Sequence, residues 1–355
     1  FDAQYLQLDA AKLEPSIWPG ELDEGMWLTP QSALASHDAG NIFISYPVLE
    51  TIRTIRAAHN DLPTAARAME ARGVNPPSGG EMLTGVHVLP LKSPTLPPAT
   101  HTNVYTLGHH DVVIVDPAPT EAEPQEELIH YLTRLQASGV RLREIWLTHH
   151  HPDHVGSAML VRDRFGIPIA AHEITASDLH GIVKVDRFIA DGEVSRMPLI
   201  GDHFAEWTAI FTPGHARGHL CFFDTRMRTL LAGDLLASLG TIIVAPPDGD
   251  MRDYMASLAK VRALNPRLLF PAHGPPVGAI GKIDEYVAHR TARENAILEA
   301  LRTASTAHDI VPLVYTDVPE ATWPLAEINV QAVLDKLETE GRIRKSGHGY
   351  LRSSA

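Results

Sequence analysis

Residues 148–156 read Thr-His-His-His-Pro-Asp-His-Val-Gly, and within them His149, His151, Asp153 and His154 form the spacing His-x-His-x-Asp-His. Packing alone does not call for so dense a set of metal-ligand types. Imidazole and carboxylate together suit Zn²⁺ and similar divalent ions. Residues 144–148 read as a short buried strand and 155–165 as a helix, so the cluster sits on a strand-to-helix loop, where α/β folds present their chemistry. Neighbours this close cannot all point at one ion. The spacing suits two, with His149 and His151 facing one and Asp153 and His154 the other. One zinc takes about three or four protein ligands, so more must come from elsewhere. Three apolar runs end at a Gly or Pro turn and deliver a ligand type: Phe211-Thr-Pro-Gly-His215, Leu230-Leu-Ala-Gly-Asp234 and Leu268-Leu-Phe-Pro-Ala-His273-Gly.

In this order the motifs HxHxDH, TPGH, GD and AHG resemble the metallo-β-lactamase superfamily over residues 85–280. His101-Thr-Asn-Val-Tyr-Thr-Leu-Gly and Val112-Val-Ile-Val-Asp116-Pro look like its first hairpin, with Ala118 where the superfamily usually has Gly. The resemblance implies an α/β fold, the αββα sandwich, whose sheets are covered by helices. The alternation of strands and helices between Pro and Gly turns agrees with it. It also implies two divalent metal ions, Zn first and Fe or Mn as alternatives. The first ion would be bound by His149, His151 and His215, and the second by Asp153, His154 and His273, with Asp234 bridging. The expected chemistry is hydrolysis by a metal-bound hydroxide, available at neutral pH because a divalent ion lowers the pKa of water from about 15.7 to about 7. Asp153 is the catalytic candidate, orienting the hydroxide or shuttling its proton.

Most of the 20 histidines must do something else. His37, His59, His130 and His180 read as surface or helix residues, and His109 and His110 as solvated turn residues. His150 lies between two ligands and should point away from them. His172 and His219 are candidates to hold the ligands' other ring nitrogens, which need partners. Trp146, Trp207 and Phe211 lie on strands leading into ligands and read as core.

The chain has 355 residues and a net charge of −13. That length suggests more than one unit, and the charge argues against a general polyanion binder, though a local basic groove could survive. The single cysteine, Cys221, lies in an apolar strand and cannot form an intrachain disulfide, which suits a reducing, cytoplasmic setting. No apolar run approaches the roughly 20 residues that span a bilayer, so no membrane partner is expected, and no signal-like segment is visible. The sequence opens at Phe1 and not Met, which leaves room for residues upstream.

Three parts follow: an N-terminal appendage with its linker (1–80), the catalytic domain (81–280) and a C-terminal domain (281–355). In the first, the pattern Glu21-x-x-x-x-x-Trp-Leu-Thr-Pro-x-x-Ala-Leu34 resembles the end of a Nudix domain. The Nudix box itself is absent, so no Nudix activity is implied. A strand is expected before a helix start there, then helices over 47–59 and 63–72. The favoured role is a docking or dimerisation element, so a homodimer is one expected partnership. In the last part, helices over 283–301, 308–315 and 324–340 and a hairpin over 342–351 outline a winged helix. With Tyr286-x-x-His-Arg-x-x-Arg-Glu they resemble the branch containing the mitochondrial β-lactamase-like endoribonuclease. That branch implies a single-stranded RNA substrate. Arg342, Arg344 and Lys345, with His348 and with Tyr350 available for stacking, are the candidate nucleic-acid contacts, although Asp335, Glu338 and Glu340 lie close by. The alternatives are a small-molecule thioester, lactone, ester or β-lactam substrate, or a non-catalytic metal-binding protein with an interaction partner.

Overall fold

The computed structural model describes residues 26–39, 41–42, 44, 46–71, 80–199, 203–238 and 240–353. They fall into two compact units, an N-terminal helical one and one containing everything from Gly80 onward. The first holds α1 (Pro30–Asp38), α2 (Tyr46–Ala57) and α3 (Leu62–Ala71). Thr29 starts α1, accepting a hydrogen bond from Ser32 N at 3.1 Å, with Pro30 at the first helical position. Residues 26–29 form no strand, and Glu21, where the Nudix-like pattern begins, lies outside the described residues. His37 is buried on α1, not solvated.

The second unit is built on two sheets. One contains β1 (Gly80–Leu83), β2 (Val86–Lys92), β3 (His101–Leu107), β4 (Asp111–Val115), β5 (Arg141–Trp146), β6 (Ile169–Ala171) and β7 (Arg187–Phe188), in that spatial order. The other contains β8 (Val194–Pro198), β9 (Phe204–Phe211), β10 (Leu220–Asp224), β11 (Thr229–Gly233), β12 (Leu268–Pro271) and β13 (Val277–Gly278), also in sequential order. Helices α4 (Ala122–Ala137), α5 (Pro152–Val155), α6 (Ala158–Phe165) and α7 (Glu173–Asp178) belong to the first half, and α8 (Met251–Ala263) and α9 (Ala279–Ala300) to the second.

Successive side chains on a strand face opposite sides, and this alternation divides the core into layers. Val113 and Val115 of β4 join Trp146, Trp207, Phe222, Leu231 and Phe270 between the sheets. Their neighbours Val112 and Ile114 pack outward with Leu128 and Leu132 of α4 and Val161 of α6. On the other side, Leu230 and Ala232 pack against Tyr254 and Leu258 of α8 and Ile283 and Tyr286 of α9. The result is the αββα sandwich. The expected helix over 155–165 is broken at Gly156–Ser157. There Ser157 turns its N–H to Pro117 O (2.7 Å) and its hydroxyl to Pro119 O (2.6 Å), tying the chain to the end of the first hairpin.

The C-terminal part consists of α10 (Ala307–Val314), α11 (Trp323–Thr339) and the hairpin β14 (Ile343–Ser346) and β15 (Gly349–Arg352). Its apolar residues Val330, Val333, Leu337 and Ile343 continue the outer core formed with α8 and α9. Among the described residues no helix is long and apolar enough to cross a membrane.

Candidate metal centre

All the proposed ligands sit at the same end of the sandwich, just past the ends of β5, β9, β11 and β12. His149 and His151 precede α5, which starts at Pro152 with Asp153 in its first turn. His215 follows Thr212-Pro213-Gly214. A Cβ on Gly214 (φ +134°) would lie 2.3 Å from the Tyr254 backbone, so only glycine lets the chain turn there. Asp234 follows Gly233 (φ +49°), where a Cβ would lie 2.6 Å from the His219 ring.

The ligand atoms converge in two groups. His149 Nε2 and His215 Nε2 lie 3.0 and 2.9 Å from His151 Nδ1. Asp153 Oδ2 lies 4.0 Å from His154 Nε2 and 3.5 Å from His273 Nε2. Asp234 reaches both groups, with Oδ2 3.4 Å from His215 Nε2 and Oδ1 3.5 and 3.2 Å from the Nε2 atoms of His154 and His273. Ligand atoms around one tetrahedral ion at 2.0–2.1 Å lie roughly 3.3 Å apart, so the spacing suits shared coordination.

The outward sides of the rings decide what the inward sides can do. His154 Nδ1 donates to Asp116 Oδ2 at 2.8 Å, His215 Nδ1 to Ile243 O at 2.7 Å and His273 Nδ1 to His101 O at 3.0 Å. His149 Nδ1 donates to Thr148 Oγ1 at 2.9 Å, since that hydroxyl gives its own proton to Asp116. His151 is turned the other way, with Nε2 on Asp248 Oδ2 at 3.2 Å and Nδ1 inward. Each ring thus places one N–H outside the cluster and aims its other nitrogen inward, the nitrogen a metal would take once it is free of its proton. His154 Nε2 and Asp234 Oδ1 are buried without a hydrogen-bond partner. The donor set fits divalent metal.

Electrostatics hold His149 and His215 neutral but leave His154 favouring a proton that a metal would displace. Burial, with the positive potential of His154 and His151, holds His149 well below its usual pKa. Burial brings His215 down to about 4. Burial also opposes charge on His154, but Asp234, Asp153 and Asp116 outweigh it and raise that ring well above its usual value. Asp234 is held well below the carboxylate range: burial opposes ionisation, and His273 and His154 overcome it.

His219 is buried and braces Asp234. Its Nε2 accepts the Asp234 backbone N–H at 3.1 Å and its Nδ1 faces Thr212 Oγ1 at 2.9 Å. Burial, with His215 nearby, depresses it to about 3, so the ring stays neutral. The structure does not bring His172 to the centre. It caps α7 and stacks on Phe211 at 4.4 Å. His150 faces Asp178 (3.7 Å) and Asp248 (3.6 Å). His109 is not solvated; it packs on Glu81 at 2.6 Å with little of either side chain exposed. Asp116 and Asp248, which orient His154 and His151, are the functional residues that sequence reasoning missed.

On the hairpin, Arg342 pairs with Glu294 and Glu340, and Lys345 with Glu338. Arg344 and His348 are exposed. Tyr350 is buried, its hydroxyl bound by Gln331 at 2.9 Å, so it offers no stacking face to a base.

Residues 97–273 match the Metallo-beta-lactamase superfamily and 306–350 the Beta-lactamase associated winged helix domain. The chain is 32% identical to the Beta-lactamase-like protein 2 homolog of Drosophila melanogaster over 69% of its own length and 85% of the relative's. The chain belongs to the metallo-β-lactamase superfamily. The chain is also 24% identical to the Probable metallo-hydrolase YqjP of Bacillus subtilis, over 75% of this chain and 97% of that one. The crystal structure of a Beta-lactamase domain protein from Burkholderia ambifaria shares the fold, with a TM-score of 0.66 and 19% identity, covering 79% of this chain and 96% of that one. As a superfamily member the chain is a metal-dependent hydrolase with a C-terminal winged-helix domain.

Proposed function

We propose that the chain binds two divalent ions, Zn²⁺ first, and hydrolyses a small, uncharged acyl compound: an ester, thioester or lactone. The observation that carries this reading is the cleft over the ligands. It measures about 340 Å³, within the range of small-molecule sites. One wall is the loop Pro94-Thr-Leu-Pro-Pro-Ala99, the other Thr241, Ile242, Ile243 and Ala245. Among the described residues lining it there is no Lys or Arg. A single-stranded nucleic acid is held by a cationic groove and exposed aromatic platforms. This cleft has apolar walls, and the hairpin's Tyr350 is buried.

His149, His151 and His215 would hold one ion and Asp153, His154 and His273 the other, with Asp234 shared. Bound divalent ions supply hydroxide at neutral pH and polarise a carbonyl. The chain's own part is to hold and orient. Leu96, Ile242 and Ile243 offer apolar contact for an acyl chain and keep bulk water from the carbonyl. Asp153 lines the cleft with Oδ2 facing His154 and His273, and its carboxylate would take the attacking water's proton and return it to the leaving group.

The test is a substrate panel with metal-loaded wild type and Asp234→Ala: an aryl ester, an acyl thioester, a lactone, a chromogenic β-lactam and a single-stranded RNA. Turnover of an acyl substrate, lost in Asp234→Ala, is expected. RNA cleavage without acyl turnover would overturn this reading in favour of the endoribonuclease one, which the exposed Arg344 and His348 favour.

A further inference from the structure

The loop after β11 is gripped from beneath by side chains of three helices. Tyr254 of α8 donates to Leu235 O at 2.7 Å. Tyr286 of α9 takes the N–H of Ala237 at 3.0 Å and faces the carbonyls of Ala237 and Gly240, each at 3.2 Å. One turn on, Arg290 donates to Ile242 O and lies over the Tyr254 ring. Asn329 of α11 accepts from Val244 N at 3.2 Å and from Arg290 at 3.4 Å. Arg290 and Asn329 are 7% and 9% exposed.

Between the two gripped residues, Ile243 turns its carbonyl the other way, onto His215 Nδ1. Residues 242 and 244 are fixed to the helices, and 243 is fixed to a ligand. The same loop ends in Asp248, the partner of His151 Nε2. Burying a guanidinium whose partners among the described residues are a carbonyl, an amide oxygen and a ring, with no carboxylate, is costly. An apolar side chain would fill that space more cheaply, so Arg290 needs a reason beyond packing.

We propose that Arg290 and Asn329 are positioning residues for the metal centre, and that the winged-helix domain, through Asn329, braces the loop that orients His215 and His151. The inference rests on the dinuclear reading above. It also gives the motif Tyr286-x-x-His-Arg290 a physical role, since both of its ends bind this loop.

The experiment uses the full chain, stripped of metal and titrated with Zn²⁺ against a chromogenic chelator, with the Co²⁺ absorption spectrum as a reporter of ligand geometry. Asn329→Leu removes the acceptor at similar size. Asn329→Asp keeps an acceptor oxygen. Val330→Ala loosens the same buried stretch of α11 without touching the loop. Asn329→Leu should lose about tenfold or more in affinity for one of two ions, as partners behind ligands do, and shift the Co²⁺ bands. Asn329→Asp should restore both, and Val330→Ala should lower the Tm alone. Wild type taking up two ions with Asn329→Leu indistinguishable from it, or Val330→Ala producing the same metal defect, overturns the inference. Wild type taking up fewer than two ions overturns the dinuclear reading, and the inference with it.

Discussion

Asp116→Asn probes the centre without touching a ligand. Asp116 receives three donors: Thr148 N at 2.8 Å on one oxygen, and Thr148 Oγ1 at 2.7 Å and His154 Nδ1 at 2.8 Å on the other. Asparagine has one acceptor oxygen and one NH₂ group. In either orientation its NH₂ meets at least one donor. The backbone at 116 has φ +49°, a left-handed conformation that asparagine tolerates as well as aspartate, so the fold has no reason to rearrange. The loss falls on His154, whose Nδ1–H loses its carboxylate, and more weakly on His149 through Thr148. Removing such a partner costs 10–100-fold in metal affinity, about 1.4 to 2.8 kcal/mol. The assay is Zn²⁺ titration of the stripped protein against a chelator, with thermal unfolding of the stripped protein alongside. The expected result is one weakened site, the one containing His154, and a Tm within a few degrees of wild type. Unchanged affinity at both sites would refute the assignment of Asp116 as the group that orients His154.

Four further outcomes are expected. Zn²⁺ affinity should rise from pH 6 to pH 8, because Asp234 favours protons on His154 and His273 that metal must displace; calorimetry in buffers of different ionisation enthalpy reads that release, and a pH-independent affinity contradicts it. The same raised values stabilise the metal-free fold below the unfolded histidine pKa of about 6.5, and that contribution is lost as pH rises through the folded values. Cys221 is fully buried, and burial pushes its thiol up to about 12, so a thiol reagent at pH 8 should label it only after denaturation; rapid native labelling would disprove the packing. Phe222→Ala removes a ring stacked on Trp146 at 4.6 Å between the sheets and should cost about 3–5 kcal/mol in urea unfolding, whereas a loss under about 1 kcal/mol would show that this layer is loosely packed.

The ligand set could be read from the sequence because metal chemistry restricts residue type, and a strand end followed by Gly or Pro is a local signal. The partners behind the ligands could not. Ile243 and His101 contribute backbone carbonyls, which carry no residue signature. Asp248 sits in a Pro-Pro-Asp turn with no motif around it. Asp116 was visible only as the end of a hairpin, because the contact with His154 joins residues 38 apart. His109 was misread for the same reason, its carboxylate partner lying 28 residues earlier. Tyr350 looked exposed beside polar hairpin residues, yet the outer core shared by α9 and α11 reaches it. Helix positions in the C-terminal part came close, since Val330, Val333 and Leu337 keep helical spacing; their ends shifted by a few residues, where propensity is weakest.

The ligands come from both halves of the sandwich: His149, His151, Asp153 and His154 hang from β5 of one sheet, and His215, Asp234 and His273 from β9, β11 and β12 of the other. Any ion they share is therefore a tie across the two layers. A chain with one cysteine has no covalent way to make such a stitch. Like a disulfide, it would restrain the unfolded chain across a long loop, but it can be undone by a chelator and its strength grows with the logarithm of free metal. The mechanical integrity of the sandwich and the capacity for catalysis would then be set by the same concentration.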